Sequence, residues 1–343
     1  PDVAVVPSEH FNTVLYTGTG SSNAITGVGF QPDLTWIKGR NNADSHNIED
    51  VIRGKQRLFS NTTGAESAGG VESRGADGFT VDGGQDTNNA ENHTYVAWNW
   101  KANGSGSSNT NGSINSTVSA NVDAGFSIVN WTKEGSSGTK TVGHGLSKAP
   151  EIIIFKEVDN TSHWSTYTGV TGSTTRGLLY LDLTAAQTTN DANQWSDTAP
   201  TSTVFTYNQS YSFGNNNDKE MIGYAFHSVD GYSKVGSYTG NGSTDGTFIY
   251  TGFRPTYFLC KNVTQSEGWE VWDGVREPNN LMTKKLSPNT STEEWTTSTT
   301  HYAIDFLSNG VKLRTTYSAV NNNAQTFIYL AFAEQPFKYS NAR

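Results

Sequence analysis

One pattern of apolar and polar positions occurs three times along the chain. Each copy has a short strand-like run, then a glycine, an apolar residue and a proline, and then an apolar run closed by a lysine. The copies are ITGVGFQPDLTWIK at Ile25–Lys38, TVGHGLSKAPEIIIFK at Thr141–Lys156 and FIYTGFRPTYFLCK at Phe248–Lys261. Runs rich in β-branched and aromatic residues are typical of strands, so each copy predicts two strands joined at a corner.

Two residue types are expected to form this corner. Glycine permits a left-handed backbone turn, and proline fixes φ and starts the next strand. The corner pairs are Gly29 with Pro32, Gly145 with Pro150, and Gly252 with Pro255. The closing lysines are predicted to mark the return of each strand to solvent; they are Lys38, Lys156 and Lys261.

The segments around the corner keep their order and approximate spacing. The opening aromatic residues Phe11, Phe126 and Tyr232 are 115 and 106 residues apart. Six or seven short strands in about 100 residues are typical of a β-sandwich or jelly roll. The sequence therefore predicts an all-β chain of three tandem repeats, packed either as beads or around a pseudo-threefold axis.

The predicted division of the chain follows these repeats. Residues 1–10 are a lead-in or attachment segment, 11–102 repeat one, 103–121 a linker, 122–228 repeat two and 229–343 repeat three. The linker is predicted because 103–121 is composed almost entirely of small polar residues. Asn61–Asp77, which is rich in Gly, Ser and Ala, is interpreted as a long loop, and Ser308 to Gly310 as a hairpin turn.

Composition excludes several classes of protein. Aromatic residues make up 12% of the chain, which disordered proteins lack. The net charge of −9, without blocks of like charge, argues against nucleic-acid binding. The single cysteine, Cys260, lies in an apolar run and is expected to be a buried, inert thiol. We see no signal peptide and no run long enough to span a bilayer, so no membrane insertion is expected.

The strings TVLYTGTG, ITGVGFQPDLTWIKGR, DGFTV and YVAWNWKA carry a resemblance that continues in DTAPTSTVF, GSYTGNGSTDGTFIYTGFRP and IDFLSNGVKLR. This pattern, over about Phe11–Phe337, resembles a domain family of unknown function found in tail-fibre and other virion proteins of marine tailed phages. The resemblance implies location on the virion, with other virion proteins and host-surface glycans as partners. It brings no catalytic signature. Fibres are often homotrimers, although three repeats in one chain could themselves supply a threefold.

Signatures of catalytic and metal sites are absent from the sequence. The seven histidines include no HExxH, no CxxC pair exists, and neither GxSxG nor a phosphate-binding loop occurs. We therefore predict no catalytic residue, no cofactor and no metal site. The Asp/Asn/Gly-rich stretch Asp82–Asn92 could surround a calcium ion, but it lacks EF-hand spacing, and a polar loop is the favoured interpretation.

Aromatic residues near polar loops are the remaining candidates for function. A tryptophan ring can stack on the C–H face of a sugar while amides and carboxylates bind its hydroxyls. The candidate ligand-binding residues are Trp164, Trp195, Trp269, Trp272 and Trp295. The favoured function is a non-enzymatic virion protein that mediates glycan attachment or virion assembly. The alternative is a polysaccharide depolymerase, which would need a carboxylate pair from acids such as Glu49, Asp273, Glu293 and Glu294.

Overall fold

The structure is a computed structural model that describes residues 5–84, 86–135, 138–171, 177–188, 192–209, 218–295 and 300–334. Strands make up 44% of it and helix only 5%, so the predicted all-β class is confirmed. The helical elements are single turns: the α-helices Asp86–Asn89, Ala192–Trp195 and Ser318–Asn321, and the 3-10 turns Pro7–Glu9 and Thr300–Tyr302.

Three large antiparallel sheets contain most of the strands. The first is ordered β1 (Phe11–Thr17), β9 (Thr94–Trp100), β3 (Leu34–Gly39), β4 (Asn47–Asp50), β5 (Gln56–Phe59) and β6 (Ser67–Ala68). The second is ordered β10 (Ser107–Asn109), β11 (Ser116–Asn121), β12 (Phe126–Thr132), β18 (Glu220–Phe226), β14 (Ile152–Glu157), β15 (Ser165–Thr168) and β16 (Leu178–Tyr180). The third is ordered β19 (Ser233–Thr239), β25 (Thr326–Ala333), β21 (Pro255–Asn262) and β22 (Trp269–Asp273).

Three smaller sheets accompany the large ones in the part of the chain that the structure describes. They are β2 (Asn23–Thr26) with β8 (Gly78–Val81) and β7 (Val71–Gly75); β13 (Thr139–Gly143) with β17 (Val204–Asn208); and β20 (Phe248–Tyr250) with β24 (Gly310–Leu313) and β23 (Ile304–Leu307). Strands β23 and β24 are joined by a two-residue loop, as Leu307 pairs with Gly310, which confirms the predicted hairpin.

The three large sheets share one strand order. In each, the opening strand pairs with the closing strand, which pairs with the strand after the corner and then the next strand: β1-β9-β3-β4, β12-β18-β14-β15 and β19-β25-β21-β22. In each, the glycine–proline corner carries the chain from the small sheet to the large one. The prediction of three repeats agrees with this recurrence, and the count itself stays a prediction.

Each large sheet is buried on both faces. One face packs on its own small sheet, forming three separate apolar clusters. The opposite faces meet in one central core, with Trp36, Trp98 and Trp100 from the first sheet, Ile154, Tyr224 and Phe226 from the second, and Leu259, Leu330 and Phe332 from the third. Alternation explains the division, because successive side chains of a strand point to opposite faces. The sheets therefore surround a shared core and do not pack as beads.

Backbone hydrogen bonds join the three segments in a closed ring. Glu66 N donates to Val158 O at 2.7 Å, Gln187 N to Val263 O at 2.8 Å, and Glu294 N to Arg40 O at 2.8 Å. Each acceptor lies two residues after a closing lysine. We call these contacts the one–two seam, the two–three seam and the three–one seam.

Two segments predicted to lack regular structure contain strands. The predicted linker 103–121 supplies β10 and β11, which extend the second large sheet, and the predicted loop at 61–77 supplies β6 and β7. The small polar residues of β10 suit the edge of a sheet, where one side of the strand faces water. Strand β11 lies inside the sheet between β10 and β12, and its Val118 and Ala120 pack in the cluster of repeat two.

The closing lysines do not return to solvent, so that prediction is wrong. Lys38, Lys156 and Lys261 are each 0% exposed. Their ammonium groups donate to backbone carbonyls, Lys38 to Gly39 and Asn42, Lys156 to Thr63 and Ser162, and Lys261 to Thr184 and Asn262. Two of these bonds cross seams, because Thr63 belongs to repeat one and Thr184 to repeat two. Desolvation lowers the pKa of each lysine to about 8.

These lysines give the protein an expected pH dependence. Between about pH 8 and pH 9.5 the unfolded chain binds lysine protons that the native protein has lost, so these three groups raise the free energy of unfolding, whereas Cys260, whose pKa burial raises, offsets part of the rise. We expect a contribution on the order of 1 kcal/mol from each lysine in this window, and urea titrations measure it. Lys261→Met should reduce the change between the two pH values by about 1 kcal/mol. The exposed Lys55→Met is the control, and an unchanged rise in Lys261→Met would contradict the assignment.

The corner glycines adopt the left-handed conformation that the sequence predicts. The φ angles of Gly29, Gly145 and Gly252 are 83°, 71° and 86°. The strands follow directly, since Pro32 and Pro150 lie two residues before β3 and β14, and Pro255 begins β21. The predicted corner is therefore confirmed.

Gly145 should be the least replaceable of the three. A β-carbon there would lie 2.6 Å from Val118 Cγ1, whereas at Gly252 the nearest atom is 3.7 Å away. We expect Gly145→Ala to lower the free energy of unfolding by about 1–3 kcal/mol, and Gly252→Ala by about 1 kcal/mol from backbone strain alone. Gly75→Ala, at an open position without positive φ, is the control in thermal unfolding. Equal losses at 145 and 252 would show that contact with Val118 is unimportant.

Candidate functional site

Four of the five candidate tryptophans are interior residues. Trp164, Trp195, Trp269 and Trp272 are at most 1% exposed. The rest of the fold covers these rings, so none of the four can stack on a sugar from solvent. We correct that expectation and do not propose them as ligand contacts.

Two of these rings hold seams together. Trp164 Nε1 donates to Phe59 O of repeat one, and Trp269 Nε1 donates to Tyr180 O of repeat two, both at 2.9 Å. In the antiparallel register Trp269 pairs with the closing lysine Lys261. The other two, Trp195 and Trp272, belong to the sandwich clusters of repeats two and three.

Trp295 alone remains half-buried and lines a cavity. The cavity has a volume of about 270 Å³ and lies in repeat three against Thr184 of repeat two. Its position follows from one extra strand-like pairing, in which Leu286 exchanges backbone hydrogen bonds with Val271 of β22 at 2.9 and 3.1 Å. That pairing places the segment 285–295 along the large sheet, and this segment forms most of the cavity wall.

A buried carboxylate lies at the base of the cavity. Glu270 in β22 is 1% exposed and accepts hydrogen bonds from Lys285 Nζ at 2.7 Å, Ser287 Oγ at 2.8 Å and Tyr317 Oη at 3.2 Å. Burial raises the pKa of Glu270, and the charge of Lys285 opposes that shift. The bonds account for both carboxylate oxygens, so this group orders the cavity wall.

Three aromatic rings form another part of the wall. Trp295 and Tyr302 meet edge to face at 4.9 Å between ring centres, and Tyr302 and Tyr317 do so at 4.6 Å. Lys285 Nζ lies 4.6 Å from the centre of the Tyr302 ring, a cation–π contact. These contacts keep the rings in place, and a rigid aromatic wall costs little entropy when a ligand binds.

Polar residues complete the cavity and its opening. Asn289 fixes the adjoining backbone by accepting a hydrogen bond from Trp269 N at 2.8 Å. Thr184, Thr292 and Glu293 are exposed and form the rim. Aromatic faces, an amide, hydroxyls and a carboxylate around one concave space are the groups that bind a sugar ring.

Glu49 and Asp273, two of the acids considered for depolymerase chemistry, lie outside the cavity. Glu49 is buried in repeat one and accepts a hydrogen bond from Val71 N, and burial raises its pKa to about 7. Asp273 is buried in the three–one seam, where it pairs with Arg276. These two acids therefore do not form a pair in an open groove.

The predicted polar loop at Asp82–Asn92 is partly a helical turn, and Gln85 and the side chain of Asp86 lie outside the described residues. Within the described part of the chain, no three His, Cys, Asp or Glu side chains cluster as metal ligands would. None of the described helices is long and apolar enough to cross a membrane. Cys260 is buried, as predicted, and burial raises the pKa of its thiol.

Sequence reasoning identified Trp295 and considered Glu293 among the acids, but it missed Glu270, Lys285, Ser287 and Tyr317. Glu270 lies in WEVWD, where its neighbours in the alternating pattern are apolar. A charged residue at an inward position of a strand is the signal that could have marked it, since such a group needs a buried partner. Lys285, Ser287 and Tyr317 are distant in sequence, and only the fold brings them together.

Comparison with known proteins gives a family and little else. No curated protein and no solved structure matches the chain. One family, described as a domain of unknown function (DUF7483), matches residues 6–336, a range that includes the ring and the cavity. The chain therefore belongs to the DUF7483 family.

Proposed function

We propose that the chain is a non-enzymatic binding protein that holds a saccharide in the cavity of repeat three. The observation that supports this most directly is the wall of Trp295, Tyr302 and Tyr317 beside the fixed Glu270–Lys285 pair. The volume of about 270 Å³ is close to the lower end of ligand pockets, which suits one or two sugar units.

We also propose that the protein acts on the surface of a phage particle, as a tail fibre or appendage that attaches to host glycans. The support is the sequence resemblance, together with low charge and a ring of sheets that makes a rigid scaffold for loops. Other virion proteins are its proposed partners. The closed ring already has threefold character within one chain, so a homotrimer is not needed to create it.

A glycan array probed with the purified chain tests saccharide binding. We expect a defined set of glycans to bind, and Trp295→Ala to weaken binding by tenfold or more, because stacking on an aromatic ring is lost. Tyr250→Ala is the matched control, because Tyr250 is 65% exposed and lies outside the cavity. Trp295→Phe should retain partial binding if the alanine variant folds poorly. Binding that survives both Trp295 variants, or no binding by folded protein, would contradict the proposal.

Depolymerase activity remains a second candidate, because Glu270 and Glu293 both line the cavity in different surroundings. Glycoside cleavage uses two carboxyl groups, and Glu293 is the exposed one of these two. Release of reducing ends from an array-selected polysaccharide, lost in Glu293→Gln, would favour the enzyme. Binding without release would favour the binding protein.

A further inference from the structure

We infer that the cavity selects neutral saccharides over acidic ones and that Glu293 on its rim is the residue that discriminates. This inference rests on the proposed saccharide binding and adds the class of ligand. It follows from the charges around the cavity. The buried ion pair of Glu270 and Lys285 adds no net charge to them.

Three formally charged residues line the cavity: Glu270, Lys285 and Glu293. Glu270 and Lys285 form an ion pair at 2.7 Å, and the hydroxyl groups of Ser287 and Tyr317 also donate hydrogen bonds to the Glu270 carboxylate. Glu293 is exposed, and it gives the lining a net charge of −1. A ligand at the opening would therefore meet a carboxylate before it meets any unpaired cation among the described lining residues.

Charges behind the wall do not reverse this balance. Lys38 interacts with Glu293 through space, but it is buried, and its ammonium donates to Gly39 O and Asn42 O. Lys261 is likewise buried and bonds to Thr184 O. Arg40 is paired with Glu294 by two hydrogen bonds at 2.9 and 3.0 Å.

A further acid, Glu267, lies near the wall. Burial is the main cause of the raised pKa of Tyr317, and the negative charges of Glu270 and Glu267 add to it. The whole chain carries a net charge of −9. A uronic acid or sulfated sugar therefore enters against the local field and against the field of the protein, whereas a neutral sugar pays no such cost.

Matched pairs of small ligands test the inference. The probes are the methyl glycosides of glucose, galactose and mannose and the methyl glycosides of the corresponding uronic acids. In each uronic acid a free carboxylate replaces the C6 hydroxymethyl group. Saturation-transfer NMR and Trp fluorescence give their affinities for wild-type protein. We expect each neutral glycoside that binds to do so about tenfold more tightly than its uronate at low salt, with a smaller ratio at high salt.

Glu293→Gln should reduce that ratio to about threefold or less without weakening the neutral partner, because only the repulsion is removed. Glu91→Gln, an exposed acid in repeat one, should leave the ratio unchanged. Equal or tighter binding of the uronates by wild-type protein, or an unchanged ratio in Glu293→Gln, would overturn the charge selection alone. Failure of every probe to bind would overturn saccharide binding and this inference with it.

Discussion

Replacing Asp273 with alanine is expected to lower the free energy of unfolding by about 3–5 kcal/mol, because it breaks a buried ion pair. Asp273 and Arg276 are both fully buried in the three–one seam. Asp273 also accepts a hydrogen bond from Trp98 Nε1 of repeat one at 3.0 Å and bonds from the backbone of Val275 and Arg276. Alanine leaves all these donors inside the protein, with only Glu294, at 3.1 Å, to balance the guanidinium.

The matched control is an ion pair on the surface. Lys55 and Glu72 are 3.5 Å apart with side chains 60% and 42% exposed, so Lys55→Ala should change stability by less than about 0.5 kcal/mol. Urea unfolding followed by Trp fluorescence measures both variants. A loss below about 1 kcal/mol for Asp273→Ala would show that the seam does not depend on this pair.

Phe332→Ala is expected to cost about 3–5 kcal/mol and to leave a single unfolding transition. Its ring contacts rings from all three segments, Phe11 and Trp100 of repeat one, Phe226 of repeat two, and Tyr232 and Tyr257 of repeat three. Phe332 is 1% exposed, so the substitution leaves a cavity in the central core. Because all three large sheets line that core, weakening it should destabilise them together.

Calorimetry distinguishes one core shared by the three large sheets from three domains that unfold independently. For the ring, the calorimetric and van't Hoff enthalpies should agree in wild-type protein and in Phe332→Ala. Phe248→Ala is the control, because Phe248 is 42% exposed and its loss should have little effect. A separate early transition for repeat three in Phe332→Ala would contradict the shared core.

The sequence predicts well the features that depend on neighbouring residues. The corner glycines, the strands after Pro32, Pro150 and Pro255 and the hairpin before Gly310 each need a particular backbone geometry, and only a few residue types supply it. The recurrence of that local signal also indicated a common strand order. Burial of Cys260 followed from its apolar surroundings.

Features that depend on the ring of three segments could not be predicted from neighbouring residues in the sequence. A lysine at the end of an apolar run ordinarily lies at the surface. Lys156 and Lys261 instead lie at seams, where each donates a hydrogen bond to a backbone carbonyl of another segment. Trp164 and Trp269 near polar loops suggested exposure, although the neighbouring segment covers both rings. The strands β10 and β11 contain almost no apolar residues, so the sequence does not indicate them. They form because neighbouring strands pair with them.

The candidate site combines both cases. Trp295 could be selected from sequence as an aromatic residue among polar neighbours, and it does line the cavity. Glu270 and Tyr317 are 47 residues apart, and neither belongs to a recognisable motif. Their hydrogen bond forms only because β22 and the turn before Ser318 pack together in repeat three.

Hydrogen-exchange mass spectrometry with a saccharide selected on the array tests the central claim most directly, because it locates the ligand on the chain. We expect slower exchange in residues 268–271 and 284–295, which form the cavity, and the same protection to be lost in Trp295→Ala. Protection confined to other segments, such as the exposed edge strand Phe248–Tyr250, with 284–295 unchanged, would contradict the assignment of the cavity as the binding site.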